Sequence, residues 1–488
     1  MIFRNEQFRV AQKLGLMFRG ETPLPDDIKS WAISQLNAKS PALGIKSFKS
    51  MNSDVKEWPR ELQPNLKKRA EMWTLYRANR KKEREKIDGQ DSAAAKTANE
   101  EKNLMGQKDS LKFSHRNVYG EDQLKIRFMN FWANHFTTGN IHDNQNVIGH
   151  LIDEAILANL NSSFSEMLYK TTSHPSMLIY LDNIWSSGED STETRDQRRN
   201  GKQAGLNDNL GRELLELHSV SPAAKYSETD IRNAANVLAG WGTELEKPLN
   251  WMREVANTTD HWDVYKRTWA QPGVKRVMGK TIRQGKGGLR ELTDFLAMHE
   301  HTISYLSSKL AQHFVNDNPS QSDVSYIENA WRKGNGNLDQ IHTAVIERAI
   351  LSKEPKFQWP MTWLFQTIRL SNATFFMGWD EVFDYDDNLM NHRQTYEELG
   401  QSFWLPRQPD GYSSDKNEWL SGEMFERRIR FADAIYRVGR PQFSSSEIMD
   451  RIGANSATRD LVNRAGKYEN EKFIALMCSP ELMGLKNA

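Results

Sequence analysis

From Glu121 onward, apolar residues return at intervals of three and four, segment after segment. EDQLKIRFMNFWANHF, NVIGHLIDEAILANL and FSEMLYKTT follow closely on one another. The pattern resumes at 206–218, 228–240, 289–316, 324–331, 338–351 and 361–370. That period belongs to helices with one buried face, whereas a half-buried strand alternates every second residue. No string of alternating β-branched residues competes with it. NHRQTYEELG reads as a helix ending at Gly400, and 421–436 as another. The exception is 241–288, rich in Trp, Thr and Gly and without helical period, which is the place for one short β-hairpin. The expected fold is mainly α, a large multi-helix domain with long loops.

The remainder divides by composition. Pro23 and Pro25 make a turn, and Asp26 and Asp27 suit the start of a helix carrying Ile28, Trp31, Ala32 and Leu36. A charge run after Leu66 gives way to DGQDSAAAKTANEEKNLMGQKDS, which lacks apolar periodicity. The expected organisation is an N-terminal helical region (1–87), a flexible polar insertion (88–110) and a main helical domain (111–488). The last packs with the first as one unit. A second polar break, 185–205, is long enough for a functional loop.

Charge and cysteine content narrow the function classes. The 488 residues hold 65 basic and 64 acidic side chains, a balance that argues against a nucleic-acid partner. Cys478 is alone, so neither an internal disulfide nor a cysteine-based zinc site is expected. Arg9 and Lys13 interrupt the N-terminal apolar residues, leaving no signal-peptide core. No run of apolar residues is long enough for a membrane span. The cytoplasm is the expected location, or the periplasm if a leader has been removed.

GLNDNLGRELLELHSV, residues 205–220, is the segment richest in chemistry. On a helix, Leu210, Leu214 and Leu217 share one side. Asn209, Arg212, Glu213 and Glu216 share another, within an arc of about 100°. His218 points away, so one helix cannot aim Glu213, Glu216 and His218 at one metal ion. The polar arc is either a solvent-facing side with an i,i+4 Arg212–Glu216 pair or the wall of a cleft. Paired carboxylates serve glycoside hydrolysis, although such pairs usually come from different elements.

Three other segments add candidates. In FMNFWANHFTTGN, His135 falls among Phe128, Phe131 and Trp132, with Asn134 at the edge of that face. In SHPSMLIYLDN, Pro175 suits a first helical position, His174 precedes it, and Asp182 and Asn183 form a turn. His299 of the HEH triplet aligns with Leu292, Phe295, Leu296, Ile303 and Leu306 as a core residue. The spacing of a zinc protease is absent there, and RQGKGGLRE lacks the arrangement of a phosphate loop. No metal site and no cofactor is expected.

Taken in order, these segments resemble the bacterial domain-of-unknown-function 1800 proteins. FMNFWANHF is similar to that family's FWxNHF, SHPSMLIYLDN to HPAMLxYLDN, and GLNDNLGRELLELHSV to GLNENxARExLELHTLG. SETDIRNAANVLAGW, SYLSSKLAQHFVNDNP and LGQSFWLPRQPDGYSSDKNEWLS resemble three further family segments. The likeness covers nearly the whole chain apart from 88–110. Departures are Asp208 for a Glu, Gly211 for an Ala, Gly411-Tyr412 for Gly-Trp, and Ala270 and Gln271 where relatives often carry a His and an acid. The resemblance carries no settled activity. It implies a bacterial protein whose gene often neighbours one for a sulfatase- or phosphatase-like protein.

Two functions are therefore expected in competition. One is a hydrolase-like enzyme acting on a polar polymer such as a polysaccharide, or on a small polar ligand. Glu213, Glu216 and His135 would be catalytic there, and Asn134, His174, Asp182, Asn209 and Arg212 would bind substrate. The other is a non-enzymatic helical scaffold or chaperone for the sulfatase- or phosphatase-like partner, with Arg212 tying helices together. One open pocket lined by these residues favours the enzyme; buried, satisfied side chains favour the scaffold.

Overall fold

Helix starts in this chain are written in its caps. In the computed structural model, Asp27 accepts from the backbone N–H of Lys29 and Ser30, opening the helix that carries Trp31. Reciprocal Ser–Asp and Ser–Glu capping boxes open helices at Ser227, Ser320 and Ser444. Pro175, Pro360 and Pro480 occupy first helical positions, where the missing N–H costs nothing. The structure describes residues 5–19, 27–37, 45–46, 54–55, 66, 68–69, 105–106, 109–110, 112–140, 144–243, 264–374, 392–402, 404–406 and 408–486.

The helices that position the site are α1 (Asn5–Leu14), α2 (Ile28–Leu36), α3 (Gln123–His135), α4 (Phe164–Thr172), α5 (Pro175–Tyr180), α6 (Asn209–Glu216), α7 (Glu228–Leu238), α8 (Gly287–Ala297), α9 (Glu300–Phe314), α10 (Gln321–Lys333), α11 (Leu338–Leu351), α12 (Pro360–Ser371), α13 (Gly422–Gly439) and α14 (Glu469–Met477). Strands are few. β1 (Ile45–Lys46) pairs with β2 (Asp54–Val55), and β3 (Trp241–Gly242) with β4 (Val264–Tyr265). β5 (Lys275–Val277) and β6 (Lys280–Ile282) form the expected hairpin within 241–288, with Val277 opposite Lys280. Met278 and Gly279 both take positive φ, as a two-residue hairpin turn requires. The fold is mainly α.

One apolar cluster runs from Phe8 to Met483, so the N-terminal helices share a core with the rest of the chain. α3 lies in its middle. Phe128 and Trp132 are fully buried, Phe128 stacks on His342, and the Trp132 indole N–H donates to His342 Nε2 at 3.0 Å. α9, α10 and α11 pack consecutively as antiparallel neighbours. The two ends of the described chain meet. Asn5 Nδ2 donates to Glu481 Oε1 at 2.6 Å, and Gln12 Nε2 to the Leu482 carbonyl at 3.1 Å.

The structure revises two sequence expectations. Residues 289–316 are two helices, not one, broken at Met298 and His299. His299 is the N-cap of α9, its Nδ1 accepting from the His301 N–H at 3.2 Å, and it is half-buried rather than core. The seven-residue step from Leu296 to Ile303 fits a continuous helix and a capped break equally well. Residues 88–104 of the expected polar insertion lie outside the described residues. At its C-terminal end Met105, Gly106, Asp109 and Ser110 are helical and buried, so the chain is packed ahead of residue 111. Among the described residues no helix is long and apolar enough to cross a membrane.

Candidate functional site

The polar arc of α6 has two unlike halves. Leu210, Leu214 and Leu215 anchor the helix in the core. Gly211 lets it approach α7 closely, because a Cβ there would stand 2.6 Å from the Ala235 backbone nitrogen. That contact explains why this helix carries glycine despite its cost of about 1 kcal/mol relative to alanine. Arg212 uses the closeness. It meets Glu228 on α7 through both terminal nitrogens, at 2.9 and 3.2 Å, and reaches Glu216 at 3.4 Å and Asp208 at 3.5 Å. Burial and the neighbouring Glu216 raise the pKa of Tyr226. Arg212 is thus held by partners on and beyond its own helix, and Glu216 is held by Arg212.

Glu213 is different. Its carboxylate makes no hydrogen bond or ion pair among the described residues, and it is half-buried. Burial, the neighbouring Glu216 and Asp410 raise its pKa to about 7 against the opposing pull of Arg212. Asp410 comes from the 408–412 turn, far along the chain. It acts electrostatically on Glu213, Tyr180, Tyr305 and Lys309, which gathers α5, α6 and α9 around one exposed carboxylate. Tyr305 is pushed up to about 12, and Tyr180 is raised, chiefly by burial.

Lys309 supplies the cation of the group. Burial lowers its pKa to about 8, and no carboxylate among the described residues lies within ion-pair distance. Its Nζ donates to His135 Nδ1 at 3.3 Å, and His135 Nε2–H donates to the His218 carbonyl at 3.3 Å. His135 is buried and stacks parallel to Phe131. Burial, Lys309 and His218 hold its pKa well below the ordinary histidine value. The ring is therefore neutral, and its one free nitrogen lone pair faces Lys309.

Asn134 secures Asp410 from behind. Its Oδ1 accepts from the Tyr412 N–H at 2.8 Å, and its Nδ2 donates to the Tyr412 carbonyl at 3.0 Å. Between them Gly411 takes φ +77°, and a Cβ there would stand 2.4 Å from the Asn134 carbonyl oxygen. Only glycine allows both the left-handed turn and that approach. Asn134 is thus a clamp on the loop.

The other expected binding residues do not join this group. His174 is fully buried at the N-cap of α5, accepting from the Ser176 N–H at 3.1 Å and bonded to His150 at 3.0 Å. Asp182 sits in a left-handed turn, φ 55°, ahead of a short 3₁₀ segment. Asn209 is exposed at the first turn of α6. Gln271 bonds Asp190 twice, through the Asp190 N–H at 3.0 Å and Oδ2 at 2.9 Å. Among the described residues no group of three or more His, Cys, Asp or Glu is placed to hold a metal ion.

Sequence reasoning did not single out Lys309, Asp410, Tyr180 or Tyr305. Lys309 carried a signal: it stands three, four and seven residues from Leu306, His313 and Thr302, all buried, on an apolar helix face. Asp410 carried none, because its partners lie about 100 to 230 residues away.

Chemically the group offers a carboxyl that exchanges protons near neutral pH, a second carboxylate on another element, a poorly solvated ammonium and two phenols. No curated protein and no solved structure matches the chain. The model of the family of proteins of unknown function DUF1800 matches residues 24–481, and the chain belongs to that family.

Proposed function

We propose that the chain is a hydrolase-like enzyme acting on a polar polymer, with a polysaccharide as the best match. The supporting observation is the half-buried Glu213, unpartnered among the described residues and acted on by Asp410 from a separate loop, with Asp410 acting in turn on Lys309. Two carboxylates on different elements are what cleavage of a glycosidic bond uses. In this reading Glu213 is the general acid, since a carboxyl that titrates near 7 holds its proton until the leaving oxygen needs it. Asp410 is the second carboxylate, activating water or meeting the sugar ring. Lys309 steadies developing negative charge, and neutral His135 positions Lys309. Glu216, tied to Arg212, orients the arc rather than reacts. Tyr180 and Tyr305 offer rings and hydroxyls to a sugar face.

The test is product release from a panel of oligosaccharides, with a thermal-shift screen to choose them. A ligand at 100 times its dissociation constant adds about 2.7 kcal/mol of stability. Glu213→Gln and Asp410→Asn should each lower turnover by about 10²-fold or more, the scale of general acid–base catalysis. Unchanged turnover in both variants overturns the reading.

A second reading, a scaffold for a sulfatase- or phosphatase-like partner, is favoured by the Arg212–Glu228 bridge and by the burial of His135 and His174. It expects no substrate-dependent shift, and loss of partner capture in Arg212→Ala.

A further inference from the structure

Beside the Glu213 group, and independent of the function proposed for it, lies a cleft enclosing about 830 Å³ of space including its mouth. Its walls are largely apolar: Phe113, Phe136, Ile148, Leu151, Met361 and Phe365. The roof is formed by Gln401, Ser402, Trp404, Pro406 and Tyr412, the last held by Asn134. At the lining stands Arg127, 3% exposed. An arginine buried to that degree ordinarily has a carboxylate partner, because an uncompensated buried charge is costly. Among the described residues Arg127 has none. Its Nη1 donates to Thr362 Oγ1 at 2.6 Å, its Nε has no partner there, and no acidic side chain of the described residues acts on it.

Two more residues of the lining carry unsatisfied nitrogens. Trp359 Nε1 and both ring nitrogens of His313 are buried without hydrogen-bond partners among the described residues. His313 is crowded by the positive charges of Arg127, Lys356 and Lys309. Lys356 already has its own countercharge in Asp317. The cleft therefore has a greasy body and a cationic, donor-rich end that nothing in the described protein neutralises.

We propose that this cleft binds an apolar monocarboxylate, its acid group seated on Arg127 with the Trp359 and His313 N–H groups, and its hydrocarbon along Leu151, Met361 and Phe365. A carboxylate supplies the missing countercharge and accepts several hydrogen bonds at once, and Arg is the side chain best shaped to meet it. A hydrocarbon tail gains by leaving water for those walls. A sugar or a nucleotide would leave its own polar groups unpaired there.

The full chain is titrated with decanoate, decanol and decylamine, followed by calorimetry and by tryptophan fluorescence, since Trp359 and Trp404 line the cleft. Saturable decanoate binding at least tenfold tighter than either other probe is expected. Arg127→Met should abolish that preference while leaving decanol binding in place. Met361→Trp, which fills the cleft without touching Arg127, should weaken all three probes. It keeps the test open if Arg127→Met does not fold. Equal affinity for the three probes, no saturable decanoate binding, or decanoate binding unaffected by both variants overturns the proposal.

Discussion

Two sets of charges in this protein are handled in opposite ways. Around α3, Arg69 grips Asp109 through both terminal nitrogens, with Nη2 to Oδ1 at 2.9 Å, and also reaches the Asn146 carbonyl at 2.7 Å. Next to them Lys112 and Arg116 share Asp153, the latter at 2.9 Å. These groups are nearly all buried, and Asp153 is held well below the usual carboxylate range by its two cations despite its burial. At the other pole, Asp410 acts on both Glu213 and Lys309, and none of the three forms an ion pair among the described residues. The first set spends every charge on another. The second keeps its charges available, which is what a site for a ligand or a reaction requires.

That contrast is broken most forcefully in the paired set. Asp109→Asn leaves Arg69 buried without a countercharge and should cost about 3–5 kcal/mol, read as a lower urea midpoint. An Asp109→Asn protein as stable as the parent would mean that the network is not structural. Next in size is Gly411→Ala. It forces a side chain into a left-handed turn against Asn134 and should cost about 1–3 kcal/mol. It also displaces Asp410, so Tyr305 should titrate lower than in the parent, which absorbance at 295 nm would follow.

The open set is sharpened by pH. A carboxyl whose pKa is higher folded than unfolded binds extra protons when folded, so it costs stability as pH rises. For Glu213 that cost begins above its ordinary 4.5 and is complete above about 7. Glu213→Gln should therefore match the parent at pH 4 and exceed it at pH 8, by about 1 kcal/mol once solvent screening of a half-open group is allowed for. Lys309 runs in the other direction: the parent gains stability between about 8 and 10.5 as the folded ammonium deprotonates first. Lys309→Met should remove that rise. The smallest effect is expected for Arg212→Ala. Its side chain is 34% exposed, and Glu228 is more so, which limits the loss to about 0.5–1 kcal/mol in chemical denaturation.

Helix was legible in this sequence because its two determinants are local. The period of Leu210 and Leu214, or of Phe128 and Trp132, states which face is buried, and Asp27, Ser227 and Pro175 state where helices begin. The break at His299 was hidden because a cap can preserve the phase of a pattern. The site was half legible. Glu213 and His135 stood out, but the features that set them apart are non-local: one lacks a partner, and the other is neutral beside Lys309. Asn134 drew notice for a polar side chain at the edge of an apolar face. Its role follows from Tyr412, 278 residues away, which no spacing rule connects to it.

The meeting of Asn5 and Gln12 with Glu481 and Leu482 also fixes an order in time. During synthesis α1 emerges before the other described helices, yet the residues that cover part of its surface are among the last of the described chain. Until then the buried face of α1, with Phe8, Ala11 and Leu14, has an incomplete roof. Early segments of a growing chain fold as they emerge, but here the first helix must wait for the last. A polypeptide interrupted after α13 would display that apolar strip to whatever quality-control machinery surveys nascent proteins.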